Sequence, residues 1–414
     1  MAQGLKIFSQ TCTSAGGGNV MNGPSISTRI FLRVLQNAQH GRVEITFPDG
    51  KAQIFGTGEI FIRVVVKDWK VFDLLFDKGD LGLAEAIIEN RIEVDDVAAL
   101  VEWACRNDQA LGAAFNGKWY GVLAQRIRHL FAKNSRKGAK KNIVAHYDLG
   151  NEFYRLWLDP SMTYSSALFE GNEQNLKSAQ MRKYDRMIEQ LEIKPGDHLL
   201  EIGCGWGGFF SRAVEKTGCK VTAVMNSPEQ ARHNKALIEE KKLTNHVELR
   251  EIDYRDIEGK FDKIVSIEMV EAVGEAYWSE YFGKIGSSLK EKGKTMIQGI
   301  TIREDLFYSY RNGTDFIQQY VFPGGMLLTN EVFRSKGEEN KLNLTNIFEF
   351  PASYARTLKE WRENFRRSRA DVLSMGFDEK FLRMWDLYLS YCEGAFRAGR
   401  ISVGQFLLER QKRC

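Results

Sequence analysis

Apolar positions recur along this chain in two rhythms. Between residues 43 and 47 (Val-Glu-Ile-Thr-Phe) every second side chain is apolar, the period of a half-buried strand. Pro48-Asp49-Gly50 is a turn signal, and 52–55 alternates again. Residues 71–76 and 83–90 are predicted helices, with Gly79-Asp80-Leu81-Gly82 between them. From residue 142 onward short apolar runs at 199–202, 220–224, 247–252, 263–267 and 295–298 alternate with helix-like segments such as 231–242 and 277–289. Strands alternating with helices predict an α/β fold, a parallel sheet covered on both faces with ligands at the carboxyl ends of its strands.

The chain has 414 residues, room for two domains. At 43% hydrophobic and 27% charged it is neither disordered nor fibrous. Its most apolar stretch, 60–76, is broken by Arg63, Lys67, Asp68, Lys70 and Asp73, so no membrane span is expected there. Residues 1–25 are expected to be a mobile N-terminus without an export signal. Six cysteines without a CxxC pair offer neither a zinc ligand set nor a disulfide framework, which reads as reduced thiols in the cytosol. A net charge of +4 argues against a dedicated nucleic-acid binder. The positive charge is uneven, however: Arg126, Arg128, Lys133, Arg136, Lys137, Lys140 and Lys141 follow one another with no acid between residues 126 and 141. This tract reads either as a solvated charge run or as a patch for anionic phospholipid headgroups, at roughly 1 kcal/mol per basic residue near the surface. The expected organisation is a small domain at 26–117, a basic linker at 118–141 and a larger α/β domain at 142–414.

The strongest motif is Leu-Leu-Glu-Ile-Gly-Cys-Gly-Trp-Gly-Gly at 199–208, an apolar strand running into a glycine-rich turn. Gly203, Cys204 and Gly205 let the backbone approach a ligand closely. A dinucleotide fold would want GxGxxG with a phosphate on the helix N-terminus. Here Asn226 ends the second strand, within reach of ribose hydroxyls. Ser227 and Pro228 then start a helix carrying Gln230. Asp253, Tyr254 and Arg255 end the third strand, where an Asp can accept from an adenine amino group. Together these favour S-adenosylmethionine over a nucleotide.

Further segments are specific: His-Tyr-Asp-Leu-Gly-Asn-Glu-Phe-Tyr at 146–154, Met-Thr-Tyr-Ser-Ser-Ala-Leu-Phe-Glu at 162–170, the glycine loop at 201–208, residues 265–274, Val-Phe-Pro-Gly-Gly at 321–325, and 388–396. With these the chain resembles the cyclopropane-fatty-acyl-phospholipid synthases, which include the mycolic acid cyclopropane synthases, over about residues 66–410. The resemblance implies a Rossmann-like S-adenosylmethionine-dependent methyltransferase domain, a mostly parallel seven-stranded sheet with helices on both faces, beside a small N-terminal α+β domain tied to lipid handling. It implies transfer of a one-carbon unit to the double bond of an unsaturated phospholipid acyl chain through a carbocation. Tyr164, Ser165 and Glu268 are implied cofactor neighbours.

The resemblance also implies a bound bicarbonate that takes the proton, cradled by Ser166, Glu271, Gln298, Ile300 and Tyr354. Ser166 stands where the family has Cys, Gln298 where it has His, Ala272 where it has a second His, and Glu268 where it usually has Gly. Ser and Gln can hydrogen-bond an oxyanion, but neither can carry a positive charge. Either the anion site is weaker or the base is different, with Glu268 and Glu271 as a carboxylate pair in which like charge raises one pKa. The other reading of Glu268 is a ligand to the cofactor's ribose or amino group. Aromatic candidates for the substrate walls are Tyr164, Phe169, Trp278, Tyr281, Tyr320, Phe322, Phe365, Tyr388 and Phe396.

Ring closure gives a cyclopropane; proton loss after a hydride shift gives a methyl or methylene branch. A small-molecule methyltransferase would leave the first 110 or so residues idle, and a non-catalytic lipid binder would have no use for the cofactor loop. Partners are expected to be an anionic phospholipid membrane and the unsaturated lipid, without nucleic acid or metal and with a homodimer left open. Placement is expected to be cytoplasmic, peripheral to the inner face of the cell membrane.

Overall fold

A computed structural model describes residues 25–115, 149–171 and 175–411. Helix α1 (Ile26–Leu35) starts where the Ser25 hydroxyl accepts the Thr28 N–H. β1 (Arg42–Thr46) and β2 (Ala52–Phe55) form the expected hairpin, pairing Val43 with Phe55. β3 (Phe61–Val66) runs parallel to β1, and β4 (Ile92–Val94) closes a four-stranded sheet of order β2-β1-β3-β4. The apolar stretch at 60–76 is thus half strand and half helix: β3 buries Ile62, Val64 and Val66 on one face before α2 (Lys70–Lys78) begins. Only Gly79 (φ 60°) breaks the chain between α2 and α3 (Asp80–Ile88). Gly82, expected in a loop, lies inside α3 because the two helices nearly touch, and a Cβ there would stand 2.4 Å from the Leu74 carbonyl oxygen. The sequence pattern had not marked α1, α4 (Val97–Arg106) or α5 (Asp108–Phe115).

The larger sheet follows two further helices, α6 (Asn151–Arg155) and α7 (Leu176–Leu191). In chain order it comprises β5 (His198–Ile202), α8 (Gly208–Thr217), β6 (Lys220–Met225), α9 (Pro228–Glu240), β7 (Val247–Glu251), β8 (Phe261–Ile267), α10 (Trp278–Ser288) and β9 (Leu289–Ile302). Then come α11 (Glu304–Asn312), α12 (Asn330–Glu339), β10 (Leu342–Glu349), α13 (Pro351–Arg367), α14 (Arg369–Ser374), α15 (Glu379–Arg397) and β11 (Ile401–Arg410). The seven strands lie in the order β10-β11-β9-β8-β5-β6-β7, and β11 runs antiparallel to both of its neighbours. This is the expected mostly parallel seven-stranded sheet. Strands β6 and β7 extend to one side of β5 and β8 to the other, so the order reverses between β5 and β8. A crevice opens at the carboxyl ends where order reverses.

The two parts share one apolar core running from Phe31 and Trp103 to Trp157, Trp361 and Trp385. Helix α15 lies against α4 closely enough that a Cβ at Gly394 would stand 2.5 Å from the Ala98 carbonyl oxygen. Ion pairs tie the contact: Arg362, paired with Glu393 within the larger part (2.9 Å), reaches across to Asp96 (3.4 Å), and Arg400 reaches Asp108 (2.9 Å). The linker at 118–141 and its seven basic residues lie outside the described residues. Among the described residues no helix is long and apolar enough to cross a membrane.

Candidate active site

The glycine loop follows from the end of β5. Gly203, Gly205 and Gly207 have φ of 79°, 52° and 83°, a region that only glycine enters freely. The Gly203 and Cys204 N–H groups both donate to the Val224 carbonyl (2.9 and 3.1 Å), tying the loop to β6. The Asn234 side chain donates to the Gly205 carbonyl (2.9 Å). No atom stands within 4 Å of where a Cβ of Gly205 would be. Ser227 caps α9 by accepting the Gln230 N–H, with Pro228 at the first helical position.

The eleven expected cofactor residues line a single cleft at the strand ends: Tyr164, Ser165, Gly203, Cys204, Gly205, Asn226, Gln230, Asp253, Tyr254, Arg255 and Glu268. Asp253 is held by Arg255, with 2.7 Å contacts to Nε and Nη2. Glu201, Trp206, Met269 and Ala272 line the same space and were not marked as ligands from the sequence. Glu201 is buried, and burial pushes its carboxyl well above the usual range. Its Oε2 and the Tyr254 hydroxyl have no hydrogen-bond partner among the described residues. Buried polar atoms left unsatisfied at the edge of a cleft are groups that a polar ligand completes. Adenosine hydroxyls and an amino group fit them, as the open glycine loop fits a ligand lying along its backbone.

Beside the cleft sits a second cluster. Glu268 leaves β8 with φ 48°, a left-handed conformation that costs a non-glycine residue about 1 kcal/mol. Its backbone N–H donates to the Gln298 carbonyl (2.8 Å). Oε1 accepts from the Ser166 N–H (2.9 Å) and Gln298 Nε2 (2.8 Å), and Oε2 accepts from the Tyr354 hydroxyl (2.6 Å). Gln298 is oriented in turn by Gln405, whose amide donates to Gln298 Oε1 (3.2 Å). The Ser166 hydroxyl turns to the Ala167 carbonyl (2.9 Å), so the main chain and not the expected side chain is the donor at this position. Burial pushes the Glu268 carboxyl up, opposed first by the charge of Lys183 and then by these hydrogen bonds.

Lys183 is fully buried and donates from Nζ to Ser165 Oγ (2.7 Å). Burial brings its ammonium down to about 7, with Glu268 pulling the other way. Glu271 lies one turn beyond Glu268, where Oε1 accepts the Ile300 N–H (2.5 Å). Its carboxyl is pushed up to about 8, chiefly by burial and secondarily by the Glu268 charge. The like-charge effect expected from the sequence is present, but burial exceeds it.

Of the aromatic candidates, Tyr164 and Tyr388 share a hydroxyl–hydroxyl contact of 2.7 Å, Phe322 lies 6.1 Å from Tyr388, and Phe396 packs 4.5 Å from Tyr354. Trp278 and Tyr281 instead pack among Leu200, Ile264 and Phe282, as core beneath α10. Phe365 contacts Phe153 in the interior, and Tyr320 reaches Glu85 of α3 (3.2 Å).

Residues 134–406 match the family model described as mycolic acid cyclopropane synthetase. The chain belongs to this family. It is 36% identical over 301 residues to the tuberculostearic acid methyltransferase UfaA1 of Mycobacterium tuberculosis, covering 71% of this chain and 70% of that protein. It is 32% identical over 358 residues to the cyclopropane-fatty-acyl-phospholipid synthase of Escherichia coli K12, covering 86% and 90%. Mycolic acid cyclopropane synthase CmaA1, solved with S-adenosylhomocysteine (SAH) and CTAB, superposes with a TM-score of 0.62 at 29% identity, covering 66% of this chain and 98% of that one. As a cyclopropane synthetase family member, this protein is an S-adenosylmethionine-dependent enzyme modifying fatty acyl chains.

Proposed function

We propose that the protein transfers the cofactor's methyl carbon to the double bond of an unsaturated acyl chain carried by a membrane phospholipid. The observation that carries this reading is the pair of half-buried carboxyl groups, Glu268 and Glu271, of which Glu268 lines the cofactor cleft and accepts from Tyr354 of an aromatic cluster. A methyltransferase acting on an oxygen or nitrogen nucleophile leaves no carbocation to house; one acting on an alkene does. Bound S-adenosylmethionine supplies an electrophilic sulfonium methyl, which the alkene π pair takes as the C–S bond breaks, leaving a carbocation on the acyl chain. The glycine loop, Asn226, Gln230, Asp253 and Arg255 hold the cofactor. Tyr164, Tyr354 and Tyr388 offer π faces and exclude water around a cation. A carboxylate then takes a proton from the chain, and the C–H electron pair stays on carbon.

Where that pair goes sets the product. Closing onto the cationic carbon makes a cyclopropane. A hydride shift before proton loss makes a methylene branch, and the 36% identity with a tuberculostearic acid methyltransferase keeps a branched product beside the ring. The N-terminal sheet and its helices serve lipid handling in this reading. The basic residues at 126–141 attract anionic headgroups, so the enzyme works peripherally on the cytoplasmic face.

Purified enzyme given methyl-labelled cofactor and vesicles of mono-unsaturated phospholipid is expected to add one labelled carbon per acyl chain by mass spectrometry. Gas chromatography of the methyl esters separates ring from branch. An absence of labelled lipid would sink the reading. Binding to vesicles is expected to require anionic lipid and to weaken with salt. Equal binding to neutral vesicles would remove the basic tract from the scheme.

A further inference from the structure

A small oxyanion such as bicarbonate, expected beside the cofactor cleft, does not fit the residues that would hold it. Ser166 N–H, Gln298 Nε2 and the Tyr354 hydroxyl all point at the Glu268 carboxylate. The Ile300 N–H is taken by Glu271, and the Ser166 hydroxyl by the Ala167 carbonyl. A second anion there would find its donors engaged and the Glu268 carboxylate for a neighbour, an arrangement that like-charge repulsion disfavours. The protein's own carboxylate sits in the cradle. It does so from a backbone position with φ 48°, where glycine would be the relaxed choice. Glu268 also lines the cofactor cleft, the space in which the methyl group is delivered.

We propose that Glu268 is the proton acceptor, a base built into the chain, so that turnover needs no bicarbonate. The proposal rests on the acyl-chain reading above. In the step, a C–H bond of the transferred methyl group breaks, directly for the ring and after a hydride shift to the neighbouring carbon for the branch. Its electron pair forms the ring bond or the new C=C bond, and the proton passes to a Glu268 oxygen, leaving a neutral carboxylic acid. Tyr354, Gln298 and the Ser166 N–H are positioning groups that hold the carboxylate, and buried Lys183 is its counter-charge. Glu271, whose carboxyl is pushed up to about 8 and is held by the Ile300 N–H, does not compete as base at neutral pH.

The decisive measurement needs no variant. Lipid methylation by the native enzyme is compared in carbon-dioxide-stripped buffer and in the same buffer with added bicarbonate, and equal rates are expected. Replacement E268Q is expected to lower the rate about 100-fold or more, the scale of general base catalysis, while SAH affinity by calorimetry and the melting temperature hold. Replacement E268G empties the cradle and relaxes the backbone, and formate or bicarbonate is expected to restore its rate saturably. A native rate that rises from near zero with bicarbonate would overturn the proposal and leave the acyl-chain reading standing, as would an E268Q enzyme at native rate. A native enzyme that labels no lipid under any condition overturns both.

Discussion

Replacing Glu271 by Gln separates the two half-buried carboxyl groups. With its pKa at about 8, Glu271 is protonated at pH 7, and an amide of the same shape keeps the contact to the Ile300 N–H. Turnover of E271Q at pH 7 is therefore expected to stay within about tenfold of native, where loss of a general base would cost about 100-fold or more. The same group makes a stability prediction with a fixed sign. A carboxyl raised from 4.5 to about 8 binds its proton more tightly folded than unfolded. Its contribution is full below pH 4.5 and is lost as pH rises through about 8. The melting temperature of E271Q relative to native should thus climb between pH 5 and 8, followed by calorimetry; a flat difference would contradict burial as the cause. At Tyr354 the 2.6 Å hydroxyl contact is to a charged partner, worth about 1.5–3 kcal/mol. Y354F is expected to lower kcat about 10- to 100-fold, leaving the KM for the cofactor unchanged because Tyr354 lies outside the cofactor cleft. Of this cluster, Glu271, Gln298, Ile300 and Tyr354 were legible from the motifs. That Glu268 fills their centre was not, because residues 166, 268, 298 and 354 meet only when β8, β9 and α13 are packed.

At the scale of the element, the glycine loop separates steric from conformational demand. Gly207 and Gly218 flank α8 with similar positive φ, 83° and 68°. A Cβ at 207 would stand 2.5 Å from the Phe210 ring, whereas nothing lies within 4 Å of one at 218. G218A is expected to cost about 1 kcal/mol of stability, the backbone term alone. G207A should cost more and also weaken SAH binding, read by calorimetry, since the loop must shift; equal effects would show that the crowding is relieved without moving the loop. Strands β5 and β6 were legible because each is a short apolar run buried on both faces. In the stretch at 60–76 the helix at 71–76 was legible but strand β3 was not, because its alternating pattern joins directly to that amphipathic helix and the sum looks uniformly apolar. Helices α4 and α5 escaped notice for another reason: α4 is buried on nearly every side against α15 and shows little polar face.

For the whole molecule, the contact between the small N-terminal sheet and the methyltransferase part is the feature that stability measurements probe. Arg362 and Glu393 are both nearly buried, with side chains 7% and 2% exposed. Losing Arg362 takes away the nearer of two cations on Glu393 and leaves Arg397 (3.3 Å); breaking a buried pair costs up to about 3–5 kcal/mol, while replacing both partners with apolar groups is close to neutral. R362M is expected to lower the melting temperature sharply, and the double variant R362M/E393L to recover most of the loss. A double variant as unstable as the single one would show that Asp96, not Glu393, is the partner that matters.

The chain's local order of residues determined the cofactor loop, the parallel strands and the candidate acids, since each is a matter of neighbours within a few positions. Those local patterns carry phi preferences, caps and burial periods that operate before any long-range contact forms. Tertiary structure alone decided which carboxylate sits among the donors and which aromatic rings are wall or core. Hydrogen bonds between residues 166 and 268, or 268 and 354, span 102 and 86 positions, and no sequence period extends so far. The Ser166 hydroxyl shows the same division at one residue: the motif marked the position, but only the packed backbone turned the hydroxyl to Ala167 and left its N–H to hold Glu268.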